Sequence, residues 1–332
     1  MKRLNNLYPL ICSTDNLLAA EKKAVKSKKN QYGVQLYLPE RESNLKDLQN
    51  LLVTKTYKTS PYTIFPITDP KPREVYRLPF FPDRVAQHGI MNVLEGVFMS
   101  MYTADTYSCV KKRGIHGAHK NLKKALLDVE GTKYCLKIDI KKFYPSIDHD
   151  VLKTQLRRKF KDKDLLWLLD NIIDSAPGLP IGNYISQPLS NLYLTPFDYW
   201  LKEKIGKLPY FRYADDIVVL APNKQYLHAL LFEIKHYLKI NLKLDVKENY
   251  QVFPVEARGI DFIGYKYFHT HVLLRKRIKQ KFARAIAKNK PASSINSYMG
   301  WAKHANTKTL IKKLIYDRNS SKKIQPVWNK SA

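Results

Sequence analysis

The run Phe211-Arg212-Tyr213-Ala214-Asp215-Asp216-Ile217-Val218-Val219-Leu220 constrains this chain more than any other. β-Forming residues flank two adjacent acids on both sides. In a continuous strand, neighbouring side chains point to opposite faces, so one aspartate would be buried. An unpaired buried carboxylate is costly. A tight hairpin turn at the pair removes the conflict and projects both acids from one edge of a sheet. Another acid interrupts the buried-strand pattern of Tyr134-Cys135-Leu136-Lys137-Ile138-Asp139-Ile140. If the two strands are neighbours, two or three carboxylates converge, and like charges so close repel unless a divalent cation holds them. Carboxylates that hold two Mg²⁺ ions with substrate phosphates suit in-line phosphoryl transfer. The plain alternative is a solvated Asp-Asp turn.

Charge weighs on the first reading. The 332 residues include 58 Lys and Arg against 29 Asp and Glu, a formal net charge of +29. Such a balance points to a polyanionic partner, nucleic acid first and an anionic membrane second. A hydrophobic fraction of 44% is enough for a core, and the length suits two compact domains or one larger fold with subdomains. Cys12, Cys109 and Cys135 are few, odd in number and far apart, which argues against a disulfide framework or a Cys-based zinc site. The sequence has no apolar run approaching the ~20 residues a membrane helix needs. The Leu7–Cys12 run is too short for a secretory leader. These features describe a soluble, cytosolic protein with no membrane partner.

Pattern and capping predict helices over 15–30, capped by Thr14 or Asp15, and over 40–54, 83–102, 116–129, 149–160, 163–174, 187–204 and 224–240. Proline-punctuated β-like runs between Pro61 and Pro82 suggest hairpin strands. Strands are expected near 243–254 and 259–268, then a basic helical tail in which Ile278, Phe282 and Ile286 share one side. Helices and strands mix without strict βαβ alternation, so the fold class is α+β. Gly178 to Leu194 is a Gly/Pro loop entering a helix, with Ser186 as the expected cap and Gly182 leaving room for backbone to approach a nucleotide. His116 and His119 resemble a metal pair, but without acids or cysteines nearby a helix start or RNA contact is the better reading.

Taken together, these residues resemble the reverse transcriptases. Tyr213-Ala214-Asp215-Asp216 resembles their YxDD box, Asp139 with Phe143-Tyr144 the preceding palm motif, and Gly178 to Asn191 the motif between. Asn241 to Lys247 is similar to the next motif, and Gly259 to Tyr265 to the primer-grip hairpin. Lys71-Pro72-Arg73 through Pro82-Asp83-Arg84 resembles the fingers segment that meets the incoming triphosphate. The Ile181-Gly182-Asn183 form with Ser186-Gln187, and both chain ends, resemble reverse transcriptases of diversity-generating retroelements in particular.

The resemblance implies an α+β right-hand polymerase with an antiparallel palm sheet and a helical thumb: fingers with an N-terminal helical extension over 1–130, palm over 131–270, basic thumb over 271–332. It implies Asp139, Asp215 and Asp216 as catalytic metal ligands with Ile140 beside them, and Lys247 as general acid or else a surface lysine. Lys71, Arg73, Phe143, Tyr144, Ile181, Gly182 and Gln187 would meet the dNTP. A core aromatic is the alternative for Tyr144, and solvated charge for Lys71 and Arg73. Phe262, Ile263, Gly264 and Tyr265 would grip the primer, and Arg275, Lys276, Arg277, Lys279, Lys281 and Arg284 would bind the nucleic-acid backbone. The implied cofactor is Mg²⁺, as two ions, with Mn²⁺ as a substitute. Implied partners are template RNA, a nucleic-acid primer, dNTPs and a small basic accessory variability protein, in the cytoplasm of a bacterial or phage-infected cell. The expected activity is RNA-directed DNA synthesis, error-prone opposite adenine, from a template-repeat RNA. The alternatives are a retron-type or phage-defence reverse transcriptase, and a non-catalytic RNA-binding protein on a polymerase fold.

Overall fold

A computed structural model describes residues 3–68 and 72–316. Three antiparallel sheets organise it. Strands β1 (Thr63–Thr68) and β2 (Pro72–Arg77) form an isolated hairpin. Strands β3 (Tyr134–Asp139), β4 (Tyr210–Tyr213), β5 (Asp216–Ala221) and β6 (Gln251–Pro254) make a central sheet in the order β4-β5-β3-β6. Strands β7 (Ile260–Phe262), β8 (Tyr265–Tyr267) and β9 (Val272–Leu274) make a third sheet.

The apolar residues of β3 and β5 are divided by parity, as a period of two requires. Leu136, Ile138, Ile217 and Val219 enter a large core shared with the N-terminal helices and the helices Ser186–Ile205 and Lys224–Leu242. Cys135, Val218 and Leu220 enter a second core with Ala118 and Leu122 of the helix Gly114–Ala125, with β7–β9, and with Ala302. The central sheet is therefore covered on both faces, which is why Ile217 to Ala221 is apolar without a break. No helix among the described residues is long and apolar enough to cross a membrane.

Most expected elements are present, with local corrections. The first long helix is Thr14–Val25 and its cap is Ser13, whose Oγ accepts from the Asn16 N–H; Thr14 and Asp15 lie inside the first turn, where Asp15 still favours the helix dipole. A separate short helix, Tyr32–Tyr37, follows. Ser186 does not cap its helix either. It is the first helical residue, and its hydroxyl donates to the Pro180 carbonyl at 2.8 Å, tying the loop to the helix it enters. Of the segment 243–254 only β6 and an isolated bridge between Ile140 and Val246 are extended. Strand β9, assigned from sequence to the helical tail, precedes the helix Lys276–Ala287.

Candidate active site

The β4–β5 hairpin closes through two residues, Ala214 and Asp215, with Tyr213 opposite Asp216. Ala214 takes a φ of +54°, the left-handed conformation that tight hairpin connections demand. On the other side of β5, Asp216 lies directly opposite Asp139 of β3. Cross-strand partners share a face and sit about 4.5–5.5 Å apart at Cβ. Two of the three acids are thus paired by register, and the third stands at the turn beside them.

Electrostatics records their crowding. Burial, reinforced by the Asp139 charge, pushes the Asp215 carboxyl up to about 6. Burial also raises Asp216 to about 6, with Lys137 opposing and Asp139 and Asp215 adding to the rise. Asp216 Oδ1 is buried without a hydrogen-bond donor; the nearest cation, Lys137 Nζ, is 3.5 Å away. Lys247 ion-pairs with the Asp139 carboxylate. Its segment runs antiparallel to the end of β3: the Lys247 N–H donates to the Asp139 carbonyl at 2.9 Å, and the Lys141 N–H to the Asp245 carbonyl at 2.8 Å. The structure therefore brings Asp139, Asp215, Asp216 and Lys247 to one place. Ile140 is there too, but its side chain is buried, which leaves its carbonyl as the group able to meet a cation.

Among the described residues, no three His, Cys, Asp or Glu side chains close into a metal-binding group as they stand. The site nevertheless fits a hard divalent cation. Its donors are all oxygen, one buried carboxylate oxygen lacks a donor, and two carboxyls are destabilised as anions by crowding. For Asp139 to take part, the Lys247 ammonium must give way.

Tyr144 follows β3 in a short 3₁₀ turn, its ring edge-on to Phe143. Its hydroxyl accepts from Ser190 Oγ at 3.4 Å, and burial raises its pKa. The Phe143 side chain is buried, which leaves its main chain as the part that can meet a nucleotide. The Gly178 loop docks here. Gly178 has φ +60°, and a Cβ on it would lie 2.4 Å from the Tyr144 carbonyl oxygen. Gly182 has the corresponding role against β2: a Cβ would lie 2.3 Å from the Tyr76 carbonyl oxygen, and the Tyr76 N–H donates to the Ile181 carbonyl at 2.8 Å. The room expected at Gly182 for a nucleotide is thus taken by the β1–β2 hairpin. Gln187 is exposed and accepts from Cys109 Sγ at 2.9 Å. Arg73 is exposed on β2; Lys71 lies outside the described residues.

The other expected contacts divide. In the β7–β8 hairpin, where the primer grip was expected, Phe262 and Tyr265 are second-core residues, Ile263 has φ +44°, and a Cβ on Gly264 would lie 2.5 Å from the Trp301 ring. With those side chains buried, only the backbone of this turn can serve a strand. In the helix Lys276–Ala287, Phe282 and Ala285 are buried while Lys276, Lys279, Lys281 and Arg284 are exposed; Arg275, just before it, ion-pairs with Asp261. His116 and His119 stand beside His304, with ring centroids 4.6 and 5.6 Å away, and His119 Nδ1 is 3.0 Å from the Tyr267 hydroxyl. Sequence reasoning missed Arg212 and Asp198, a fully buried ion pair beneath the turn. The available signal was a charged residue in each of two otherwise apolar stretches.

A family model described as reverse transcriptase (RNA-dependent DNA polymerase) matches residues 69–267. The retron Ec73 reverse transcriptase of Escherichia coli is 29% identical over 248 residues, 66% of this chain and 75% of that protein. Protein YkfC of Escherichia coli (strain K12) is 24% identical, over 63% of this chain and 65% of YkfC. The group II intron-encoded protein LtrA of Lactococcus lactis subsp. cremoris is 24% identical, over 64% of this chain. The match spans less than two thirds of YkfC and only 36% of LtrA. Among solved structures, telomerase from Candida albicans in complex with a fragment of telomeric RNA superposes with a TM-score of 0.52 at 11% identity, covering 83% of this chain and 60% of that one. Apo telomerase from Candida tropicalis gives 0.51 at 13%, covering 72% and 54%. The likeness is one of fold, the right-hand arrangement expected from the sequence.

Proposed function

Since this chain belongs to the reverse transcriptase family, whose model matches 69–267, we propose that it is an RNA-directed DNA polymerase extending a nucleic-acid primer with dNTPs. The observation that carries the proposal is the convergence of Asp139, Asp215 and Asp216 at one hairpin edge, two of them raised to about 6 by burial and crowding. An RNA-binding protein without catalysis has no use for such acids, which repel phosphates. Asp139, Asp215 and Asp216, with the Ile140 carbonyl, would hold Mg²⁺, as two ions, or Mn²⁺. When bound, the metal neutralises charge on the oxygens of phosphoryl transfer. Lys247, released from Asp139, would give a proton to the leaving group. Tyr144, against the Gly178 loop, walls the nucleotide position on the ribose side. Arg73, exposed on β2, would contact the triphosphate, and the sequence motif assigns Lys71 the same role. The basic face of the helix Lys276–Ala287 holds the template–primer backbone.

In this reading fingers occupy 1–130, palm 131–270 and thumb 271–332, and the protein works in the cytoplasm of a bacterial or phage-infected cell. The finer assignment is to a diversity-generating retroelement, copying a template-repeat RNA with errors opposite adenine and working with a small basic accessory protein. Ile181 supports it: an apolar side chain there offers no polar contact to the nascent pair. A retron-type enzyme is the second reading, favoured by the 29% identity to the retron Ec73 reverse transcriptase. Near-identical repeats differing at adenines beside the gene favour the first, and their absence the second. The polymerase proposal is tested by dNTP incorporation on a primed RNA template. Asp215→Asn abolishes incorporation and leaves RNA binding intact; equal incorporation by the variant refutes it.

A further inference from the structure

Arg212 sits two residues before the turn, and neither it nor its partner Asp198 is exposed at all. Arginine is almost never buried so fully without a dedicated set of acceptors. Here the guanidinium has one on every side. Nε donates to Asp198 Oδ1 at 2.7 Å and Nη2 to Asp198 Oδ2 at 2.5 Å. Nη2 also donates to Thr106 Oγ1 at 3.2 Å, and Nη1 to Asn191 Oδ1 at 3.1 Å. Nη1 makes one further bond, to the Ala214 carbonyl oxygen at 3.2 Å. That carbonyl belongs to the residue joining Tyr213 to Asp215.

The clamp is itself held. Tyr210 Oη donates to Asp198 Oδ1 at 2.6 Å, and Thr106 Oγ1 to Asp198 Oδ2 at 2.9 Å. Main-chain bonds run from the Arg212 N–H to the Asp105 carbonyl at 2.9 Å and from the Tyr107 N–H to the Arg212 carbonyl at 3.0 Å. Asn191 and Asp198 lie on the helix Ser186–Ile205, and Thr106 on the segment beside β4. Arg212 is opposite Ile217, a residue of the large core, whereas Asp216 is opposite Tyr213. The clamp therefore grips the turn from the face opposite the carboxylates and cannot touch substrate.

Stability is a weak explanation for it, because apolar residues of similar volume often replace buried ion pairs at little or no cost. A planar fork with five donors does explain it, since one rigid group can fix a turn against two other elements at once. We infer that Arg212 is a positioning residue: it anchors the Ala214 carbonyl to Asp198, Asn191 and Thr106, and so sets where Asp215 stands relative to Asp139 and Asp216. This inference rests on the polymerase reading.

The test compares Arg212→Lys, Thr106→Val and Asp215→Asn in the full chain. Lysine keeps the charge but cannot serve Asp198 and Ala214 through separate nitrogens. Arg212→Lys is expected to bind primed template RNA as tightly as the unaltered protein. Its KM for dNTP stays within about threefold while kcat falls ~10²-fold, the scale on which a misplacement of about 1 Å acts. Its Mg²⁺ midpoint rises several-fold, and excess Mg²⁺ recovers part of the rate. Thr106→Val, which removes one acceptor, moves kcat and midpoint the same way by roughly 3- to 10-fold, and it decides the matter if Arg212→Lys does not fold. An unaltered kcat and Mg²⁺ midpoint in the folded variant overturns the inference. So does a loss of rate that merely follows the loss of folded protein, with the midpoint unmoved. If Asp215→Asn incorporates dNTP as well as the unaltered chain, the polymerase reading fails instead.

Discussion

Neutralising one acid of the cluster should stabilise the protein in the absence of metal. Asp216→Asn keeps the volume and removes the charge. The Asp216 carboxyl is raised from 3.8 to about 6, chiefly by burial. At neutral pH that rise corresponds to about 3 kcal/mol of unfavourable ionisation in the folded state. The side chain is 27% exposed, so solvent screening reduces the expected gain to about 2 kcal/mol. The sign follows from proton counting. Between about pH 4 and 6 the folded protein binds more protons at this site than the unfolded chain, so stability falls as pH rises through that window and stays lower above it. The variant loses that fall. In EDTA at about pH 7.5 its Tm is expected to lie ~4 °C above that of the unaltered chain, since 1 kcal/mol moves a protein of this size by about 2 °C. Near pH 4 the two melt together. Saturating Mg²⁺ raises the Tm of the unaltered protein more than that of the variant, because binding energy adds only where the ligand binds. Calorimetry across this pH range with and without Mg²⁺ measures all three. A variant that melts at or below the parent at pH 7.5 in EDTA, or whose advantage persists at pH 4, refutes the account of the site as a set of crowded, buried anions.

Three further outcomes follow from the geometry. Gly182→Ala places a Cβ 2.3 Å from the Tyr76 carbonyl oxygen, so the β1–β2 hairpin must shift and give up the Tyr76–Ile181 bond, worth about 1 kcal/mol; a lower Tm and a raised KM for dNTP check it. Lys279→Ala with Arg284→Ala, both exposed, should reduce the slope of log affinity against log salt on a duplex by roughly two, read by filter binding at several ionic strengths. Ile181→Gln should lower misincorporation opposite template adenine, and an unchanged error spectrum in sequenced cDNA counts against the retroelement reading.

The acids were legible in the sequence because each breaks an apolar β pattern. Two adjacent acids in that run called for a hairpin turn, and the structure puts Asp215 in it, with Asp216 one residue on as the first of β5, opposite Asp139. Long helices such as Ser186–Ile205 were equally plain, since their periodicity is local. What escaped was set by contacts far apart in the chain. Nothing beside Gly182 announces Tyr76, more than a hundred residues earlier, and nothing beside Arg212 announces Asp198 across a turn of chain. Caps shifted by a residue because Ser13, Thr14 and Asp15 are all competent, and geometry alone selects among them. Strand β9 is three residues long and borders a basic helix, too short for its alternation to register. A hairpin was expected at Gly259 to Tyr265 and β7 pairs with β8 there, but the motif gave no indication that Phe262 and Tyr265 point into a core.

That second core has a consequence for making chimeras. Its members run from Tyr107 through Val218, Leu220 and Phe253 to Ala302, so it straddles any cut near residue 270. Grafting a relative's C-terminal segment there would set a stranger's counterparts of Val272, Leu274 and Ala302 against an interior they did not evolve with. The transplantable unit is instead a mosaic that includes Val218 and Leu220 of β5 and leaves Ile217 and Val219 behind. Alternate residues of one strand thus answer to different halves of the protein, and homologues that diverge at one end should drift at one parity of β5 while the other parity keeps time with the opposite end.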